Sequence, residues 1–138
     1  GLHTCFAVVA CAPHQLQATV AFAGESQANR KYTLWRRIAE LEGAPQSTLD
    51  AFDRAAAEET AHALGHLAYM GGFGTTAENL KAAAEGEGYE TLEMYPSFAE
   101  VAEKEGFSQV AQYFRSVGRF EDSHRREYLA ALEELQKS

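Results

Sequence analysis

Apolar residues recur at helical spacing along most of the chain. Helix formers such as Ala, Glu, Leu and Gln dominate long stretches, and only three prolines occur in 138 residues. Val110, Tyr113, Phe114 and Val117 form one apolar stripe of the kind that a helix buries. No segment alternates convincingly like a β-strand. The pattern therefore predicts an all-α fold.

Breaks in the pattern predict four helices, from about residue 17 to 42, 47 to 70, 76 to 105 and 108 to 135. Gly43 and Pro45 end the first, because glycine suits a helix end and proline cannot continue one. Thr75 and Glu78 form a capping-box pattern that starts the third. Pro96 should kink that helix. We expect a four-helix bundle over residues 17–138, preceded by a segment, 1–16, of unclear role.

The composition and net charge of the chain limit the classes of partner that it is expected to bind. The net charge of -8 argues against nucleic acid, since polyanions bind surfaces rich in Lys and Arg. The apolar stretch 5–12 is too short to span a bilayer, so no membrane partner is expected. Only Cys5 and Cys11 occur, so a disulfide framework is not expected. These features predict a cytoplasmic protein.

The chain also repeats its polar residues at one interval. Glu25 and Glu87, each preceded by glycine, are 62 positions apart, and so are the Glu-x-x-His motifs that begin at Glu59 and Glu121. Residues alike in chemistry and recurring at one offset indicate two helical hairpins arranged around a shared centre.

These residues have the chemistry of a metal site. Glu and His three positions apart lie on one helix face and can reach one ion. One such motif alone is more simply a solvated face, but two motifs with matched glutamates match the pattern of ferritin-like di-iron bundles. Glu90 follows Glu87 by one turn and brings the carboxylates to five. Buried carboxylates need cations, and mixed oxygen and nitrogen donors suit iron or manganese.

At this point the sequence resembles the rubrerythrins. The resemblance covers nearly all of residues 21–128 and is carried by AFAGESQA at 21–28, TAENLKAA at 76–83, EMYP at 93–96 and EGF at 105–107. It implies two iron ions in an oxo- or carboxylate-bridged pair, with manganese or zinc as possible substitutes. The implied ligands are Glu25, Glu59, His62, Glu87, Glu90, Glu121 and His124.

The resemblance also implies roles for individual residues. Glu59 and Glu121 would bridge the irons, and His62 and Glu90 would exchange at one iron as it is oxidised. Tyr32 and Tyr95 match positions beside the irons, where they would bond ligand carboxylates or peroxide. The alternative is that both tyrosines are core aromatics.

Two departures from the family shape the expected partners. No pair of Cys-x-x-Cys motifs follows the bundle, so the chain resembles stand-alone members that need an external electron donor such as rubredoxin or a flavoprotein reductase. The connection 71–75 reaches at most ~18 Å when fully stretched. In a closed ferritin-like monomer the second and third helices run parallel, so this connection would have to return along the bundle. That distance is ~30 Å, at 1.5 Å per helical residue. We therefore expect a domain-swapped homodimer.

The leading functional hypothesis is a peroxidase that reduces hydrogen peroxide to water. An oxidase or ferroxidase that uses dioxygen would employ the same ligands and differ in substrate access. A third hypothesis, from another class, is a metal-binding or iron-storage protein without turnover.

Overall fold

The computed structural model describes residues 13–137 as a succession of helices. They are α1 (Pro13–Leu41), α2 (Gln46–Tyr69), α3 (Thr76–Tyr89), a π-helix (Glu90–Met94), α4 (Tyr95–Lys104) and α5 (Ser108–Lys137). No strand occurs between residues 13 and 137. With α3, the π-helix and α4 counted as one interrupted helix, the four predicted helices and the all-α class are confirmed.

The N-terminal end of the first helix differs from the expectation. It begins at Pro13, so the end of the predicted segment 1–16 is helical. Proline suits the first turn of a helix, where its missing N–H is not needed. Cys5 and Cys11 lie outside the described residues. None of the described helices is long and apolar enough to cross a membrane.

The chain divides into two compact units, of which the first ends at Gly72 and the second begins at Phe73. In the first unit α1 packs on α2, and in the second α3, the π-helix and α4 pack on α5. We refer to them as the N-terminal hairpin and the C-terminal hairpin.

The long first arm of each hairpin ends in the same way. Gly43 has φ of 71° and Gly106 has φ of 84°, a left-handed conformation that suits glycine because it has no Cβ. The Gly43 N–H donates to the Glu40 carbonyl at 3.1 Å, and the Ala44 N–H donates to the Ala39 carbonyl at 2.9 Å. The two corresponding bonds form around Gly106. Both arms therefore end in a Schellman motif, and the predicted stop at Gly43 is confirmed.

The two turns differ in length. Four residues, 42–45, connect α1 to α2, whereas three residues, 105–107, connect α4 to α5. The turn of the C-terminal hairpin is thus one residue shorter.

The predicted capping box at the start of α3 is confirmed. The Glu78 N–H donates to the Thr75 hydroxyl at 3.3 Å, and the Thr75 N–H donates to the Glu78 carboxylate at 2.8 Å. The Thr75 N–H and the Thr75 hydroxyl both donate to the Glu78 carboxylate, and they lower its pKa because they stabilise its charged form. The start of α3 is therefore fixed by its own first turn.

A π-helix interrupts the long arm just before Pro96, and the kink expected at Pro96 stays a prediction. The long arm changes from α to π geometry at Glu90 and returns to α geometry at Tyr95. Pro96 then lies in the first turn of α4, where a proline requires no N–H donor. The proline is accommodated by a new helix start, which follows the π-helix directly.

The helix contacts within the hairpins are made mostly by small side chains. Six of the seven buried hydrophobic residues are alanines, namely Ala39, Ala63, Ala84, Ala99, Ala102 and Ala111, and Leu49 is the seventh. Large apolar side chains lie outside these contacts, among them Leu64, with 63% of its surface exposed, and Phe120, with 67%. Each hairpin therefore closes on alanine and leaves larger apolar groups uncovered.

Candidate metal centre

In the N-terminal hairpin, three predicted ligands converge. Glu25 of α1 and Glu59 and His62 of α2 each offer a ligand atom, and these atoms lie within 4.8 Å of one another. The His62 Nδ1 is 3.2 Å from a Glu59 oxygen and 3.9 Å from a Glu25 oxygen. We call these three residues the N-terminal triad. The Glu-x-x-His spacing puts Glu59 and His62 on one face of α2, and the packing of α1 on α2 brings Glu25 to them.

The C-terminal hairpin forms a matching group. Glu87 of α3 and Glu121 and His124 of α5 also have ligand atoms within 4.8 Å of one another. The His124 Nδ1 is 2.9 Å from a Glu121 oxygen and 3.6 Å from a Glu87 oxygen. We call these residues the C-terminal triad. The two triads have the same composition and the same order of contacts, as the 62-residue repeat predicts.

The C-terminal triad concentrates negative charge in a partly buried place. Burial raises the pKa of Glu87, and the neighbouring carboxylates of Glu121 and Glu90 raise it further, whereas His124 opposes the shift. The Glu87 Oε2 is buried and accepts no hydrogen bond from residues 13–137. A buried carboxylate oxygen without a donor is unfavourable unless a cation neutralises it. The oxygen and nitrogen donors fit a cation of the iron or manganese type.

Glu90 lies near the C-terminal triad without belonging to it. It is the first residue of the π-helix and is half-buried. Its charge is close enough to raise the pKa values of Glu87 and Tyr95. It is therefore a third carboxylate close to Glu87 and Glu121 in the C-terminal hairpin.

The π-helix was not among the predicted elements. Its signal was a change of interval, because Glu25 and Glu87 are 62 positions apart whereas Tyr32 and Tyr95 are 63 apart. One extra residue in an α-helix is accommodated as a π-turn, and such turns are frequent at functional sites.

The two predicted tyrosines occupy matching aromatic clusters. The Tyr32 ring lies 5.8 Å from Trp35 and 6.3 Å from Phe52. The Tyr95 ring lies 6.3 Å from Phe98 and 6.1 Å from Phe114. Both tyrosines thus contact neighbouring rings, an arrangement that either interpretation of their role allows.

The nearby carboxylates also affect the pKa of Tyr95. Burial raises the pKa of Tyr95, and the charges of Glu121 and Glu90 raise it further. Its phenol therefore keeps its proton more firmly than an exposed tyrosine and stands near the C-terminal triad.

Comparison with known proteins places the chain in a family. The family model described as Rubrerythrin matches residues 19–132, which include both triads and Glu90. The chain belongs to the rubrerythrin family. The predicted resemblance is confirmed, and the helical hairpins are consistent with the ferritin-like class that it implied.

Individual rubrerythrin relatives support the assignment. The chain is 41% identical to the rubrerythrin of Porphyromonas gingivalis over 126 residues, which cover 82% of this chain and 62% of the relative. It is 36% identical to rubrerythrin-1 of Clostridium acetobutylicum over 135 residues, covering 86% and 69%. It is 32% identical to nigerythrin of Nitratidesulfovibrio vulgaris over 129 residues, covering 83% and 63%. The chain thus spans less than two thirds of the length of two of these relatives.

Proposed function

We propose that this chain binds a di-iron centre and reduces hydrogen peroxide to water with electrons from an external donor. The observation that carries the proposal is the matched pair of triads, each with two carboxylates and one imidazole within 4.8 Å. Membership in the rubrerythrin family supports the same class of di-iron oxidoreductase.

The proposed ligand set extends the triads by one residue. Glu59 and Glu121 are the proposed bridging carboxylates, as the resemblance to the rubrerythrins implies. Glu90 is the seventh ligand, and we expect it to exchange with His62 at one iron as the oxidation state changes. Iron is the proposed metal, and manganese or zinc would fit the same donors.

The chemistry needs two electrons and two protons for each peroxide, and it yields two waters. The reduced iron pair would supply the electrons that cleave the O–O bond. Tyr95 is the proposed hydrogen-bond donor, since its raised pKa keeps the phenol protonated at neutral pH. Glu90 is a carboxylate close to Tyr95, and Tyr32 is the counterpart of Tyr95 in the N-terminal hairpin.

We also propose that the complete centre forms in a domain-swapped homodimer. The N-terminal triad would come from one subunit, and Glu90 and the C-terminal triad from the other. Two features support this assembly. The connection 71–75 is short, and large apolar side chains such as Leu64 and Phe120 remain exposed. Light scattering that finds a monomer with two bound irons would contradict the dimer and leave the ligand set intact.

The remaining partners follow from the reaction. Each turnover would use two electrons from the iron pair, so the proposed peroxidase would require a reductant such as rubredoxin or a flavoprotein reductase. A cytoplasmic location, where such reductants occur, stays a prediction.

Rapid mixing tests the proposed function. Protein loaded anaerobically with two ferrous ions per chain is mixed with hydrogen peroxide or with dioxygen, and the absorption of the oxidised iron pair is followed. We expect faster oxidation by peroxide. Faster oxidation by dioxygen would favour the oxidase or ferroxidase hypothesis. Two bound ions with slow oxidation by both reagents would favour a storage or structural role.

A further inference from the structure

A polar side chain ties the two helices of each hairpin together at the same position of the repeat. In the N-terminal hairpin the Asn29 side-chain amide of α1 donates to the Ala56 carbonyl of α2 at 2.6 Å. In the C-terminal hairpin the Thr91 hydroxyl of the π-helix donates to the Gly118 carbonyl of α5 at 3.2 Å. Asn29 and Thr91 are 62 positions apart, and so are Ala56 and Gly118. The two bonds are therefore equivalent.

Both bonds lie one turn from the proposed metal ligands. The donors follow Glu25 and Glu87 by four residues, and the acceptors precede Glu59 and Glu121 by three residues. Three or four residues correspond to about one helical turn. Each bond thus connects the helices beside the level at which carboxylates from the two helices meet.

The donors differ in chemistry although the bond is the same. One is an amide and the other a hydroxyl, and the Asn29 amide also donates to the Thr60 hydroxyl at 2.8 Å. The two repeats therefore share the position of the bond and not the residue type. Both donors are half-buried.

A directional bond supplies what the alanine contacts lack. Small apolar contacts bring helices close but allow them to slide, because dispersion attraction has little directional preference. A metal site needs its ligands held to within about 0.5 Å. A side chain anchored to one carbonyl fixes both the register and the separation of the two helices at that level.

We infer that Asn29 and Thr91 are positioning residues that set the separation of the two carboxylates in each triad. Asn29 fixes Glu25 relative to Glu59, and Thr91 fixes Glu87 relative to Glu121. The inference rests on the proposed function, because it assumes that the triads bind metal.

The test measures cobalt(II) binding to the full chain, which does not depend on peroxide turnover. Thr91→Val keeps the shape of the side chain and removes the donor, whereas Thr91→Ser keeps the donor. Thr33→Val is the matched control, because Thr33 is a half-buried threonine whose hydroxyl donates within its own helix, to the Asn29 carbonyl. Affinity is measured by competition with a chelator, coordination by the cobalt(II) absorption spectrum, and stability by thermal unfolding without metal.

We expect Thr91→Val to bind one of its two cobalt(II) ions about tenfold more weakly, as is typical when a residue that orients ligands is lost. The absorption spectrum of that ion should change as well. Thr91→Ser and Thr33→Val should resemble the unmodified protein. Asn29→Leu should weaken the other ion, so the two single variants should differ in which ion is lost first.

A second pair of variants covers the case in which Thr91→Val does not fold. Thr91→Asn installs the donor of the N-terminal hairpin at the equivalent position, and Thr91→Leu has a similar size without a donor. Tighter cobalt(II) binding by the asparagine variant would support the inference.

Three results would overturn it. Thr91→Val with a lower unfolding temperature but unchanged cobalt(II) affinity and spectrum would show that the bond serves stability alone. Unmodified protein that binds no cobalt(II) would overturn both this inference and the proposed function. Two tightly bound cobalt(II) ions in both the unmodified protein and Thr91→Val would overturn this inference alone.

Discussion

The N-terminal and C-terminal hairpins present the same ligands from arms of different construction. α1 runs without interruption from Pro13 to Leu41, whereas the corresponding arm of the C-terminal hairpin contains the π-helix between Glu87 and Tyr95. The position equivalent to Glu90, 62 residues earlier, is Ala28. The extra carboxylate and the extra residue therefore occur together, in one hairpin only.

The two triads also differ in how closely their side chains approach one another and in how exposed these side chains are. The shorter His–Glu contact is 2.9 Å in the C-terminal triad and 3.2 Å in the N-terminal triad. The Glu87 side chain is 17% exposed and the Glu25 side chain 32%. Two ions held by chemically alike triads would thus experience unequal environments.

Removal of the extra residue should have the largest effect. Deletion of Leu92, whose side chain is 65% exposed, should convert the π-helix into α-helix. Each residue of an α-helix turns by about 100°, so Glu87 would rotate away from α5 or Tyr95 away from Phe114. We expect loss of one metal ion, measured by metal analysis, and a fall of about 100-fold in peroxide turnover.

Leu92→Ala is the control for that deletion, because it removes the same side chain and keeps the chain length. If the deletion variant retained two ions and full turnover, the π-helix would have no part in the centre.

The aromatic clusters provide the next test of the difference between the hairpins. Tyr95→Phe and Tyr32→Phe each remove one hydroxyl and keep the ring contacts. We expect Tyr95→Phe to slow peroxide turnover about tenfold, equivalent to a hydrogen bond of about 1.4 kcal/mol. Tyr32→Phe should have the smaller effect, since Tyr95 is the tyrosine whose pKa responds to Glu121 and Glu90. Steady-state turnover of both variants at equal iron content is the measurement, and equal effects would refute the ranking.

The smallest expected effect concerns the metal-free protein. Because the pKa of Glu87 is raised in the folded state, its contribution to stability is fully present below its ordinary value of 4.5 and is lost as pH rises through the raised value. Urea unfolding of metal-free protein should therefore show a midpoint that falls gradually above pH 4.5. Glu87→Gln cannot titrate and should reduce that slope. A slope that is the same in both proteins would contradict the expectation.

The helices and the two triads followed from local patterns. Gly43 and the capping box at Thr75 determine helix ends through their own backbone chemistry, and the Glu-x-x-His spacing determines which side chains share a face. The π-helix did not follow, because hydrophobic periodicity is averaged over many residues and a single insertion changes it little. The bonds of Asn29 and Thr91 depend on the packing of two helices and have no signature in either helix alone.

The shorter turn after Gly106 limits how far the extra residue displaces the chain. An insertion in a helix ordinarily shifts the register of everything that follows, and here the missing turn residue restores the interval to 62 before α5 supplies Glu121 and His124. Only the segment between the π-helix and that turn is offset relative to its counterpart. One hairpin of a repeated pair can in this way acquire a new chemical group while its triad keeps the spacing found in the other hairpin.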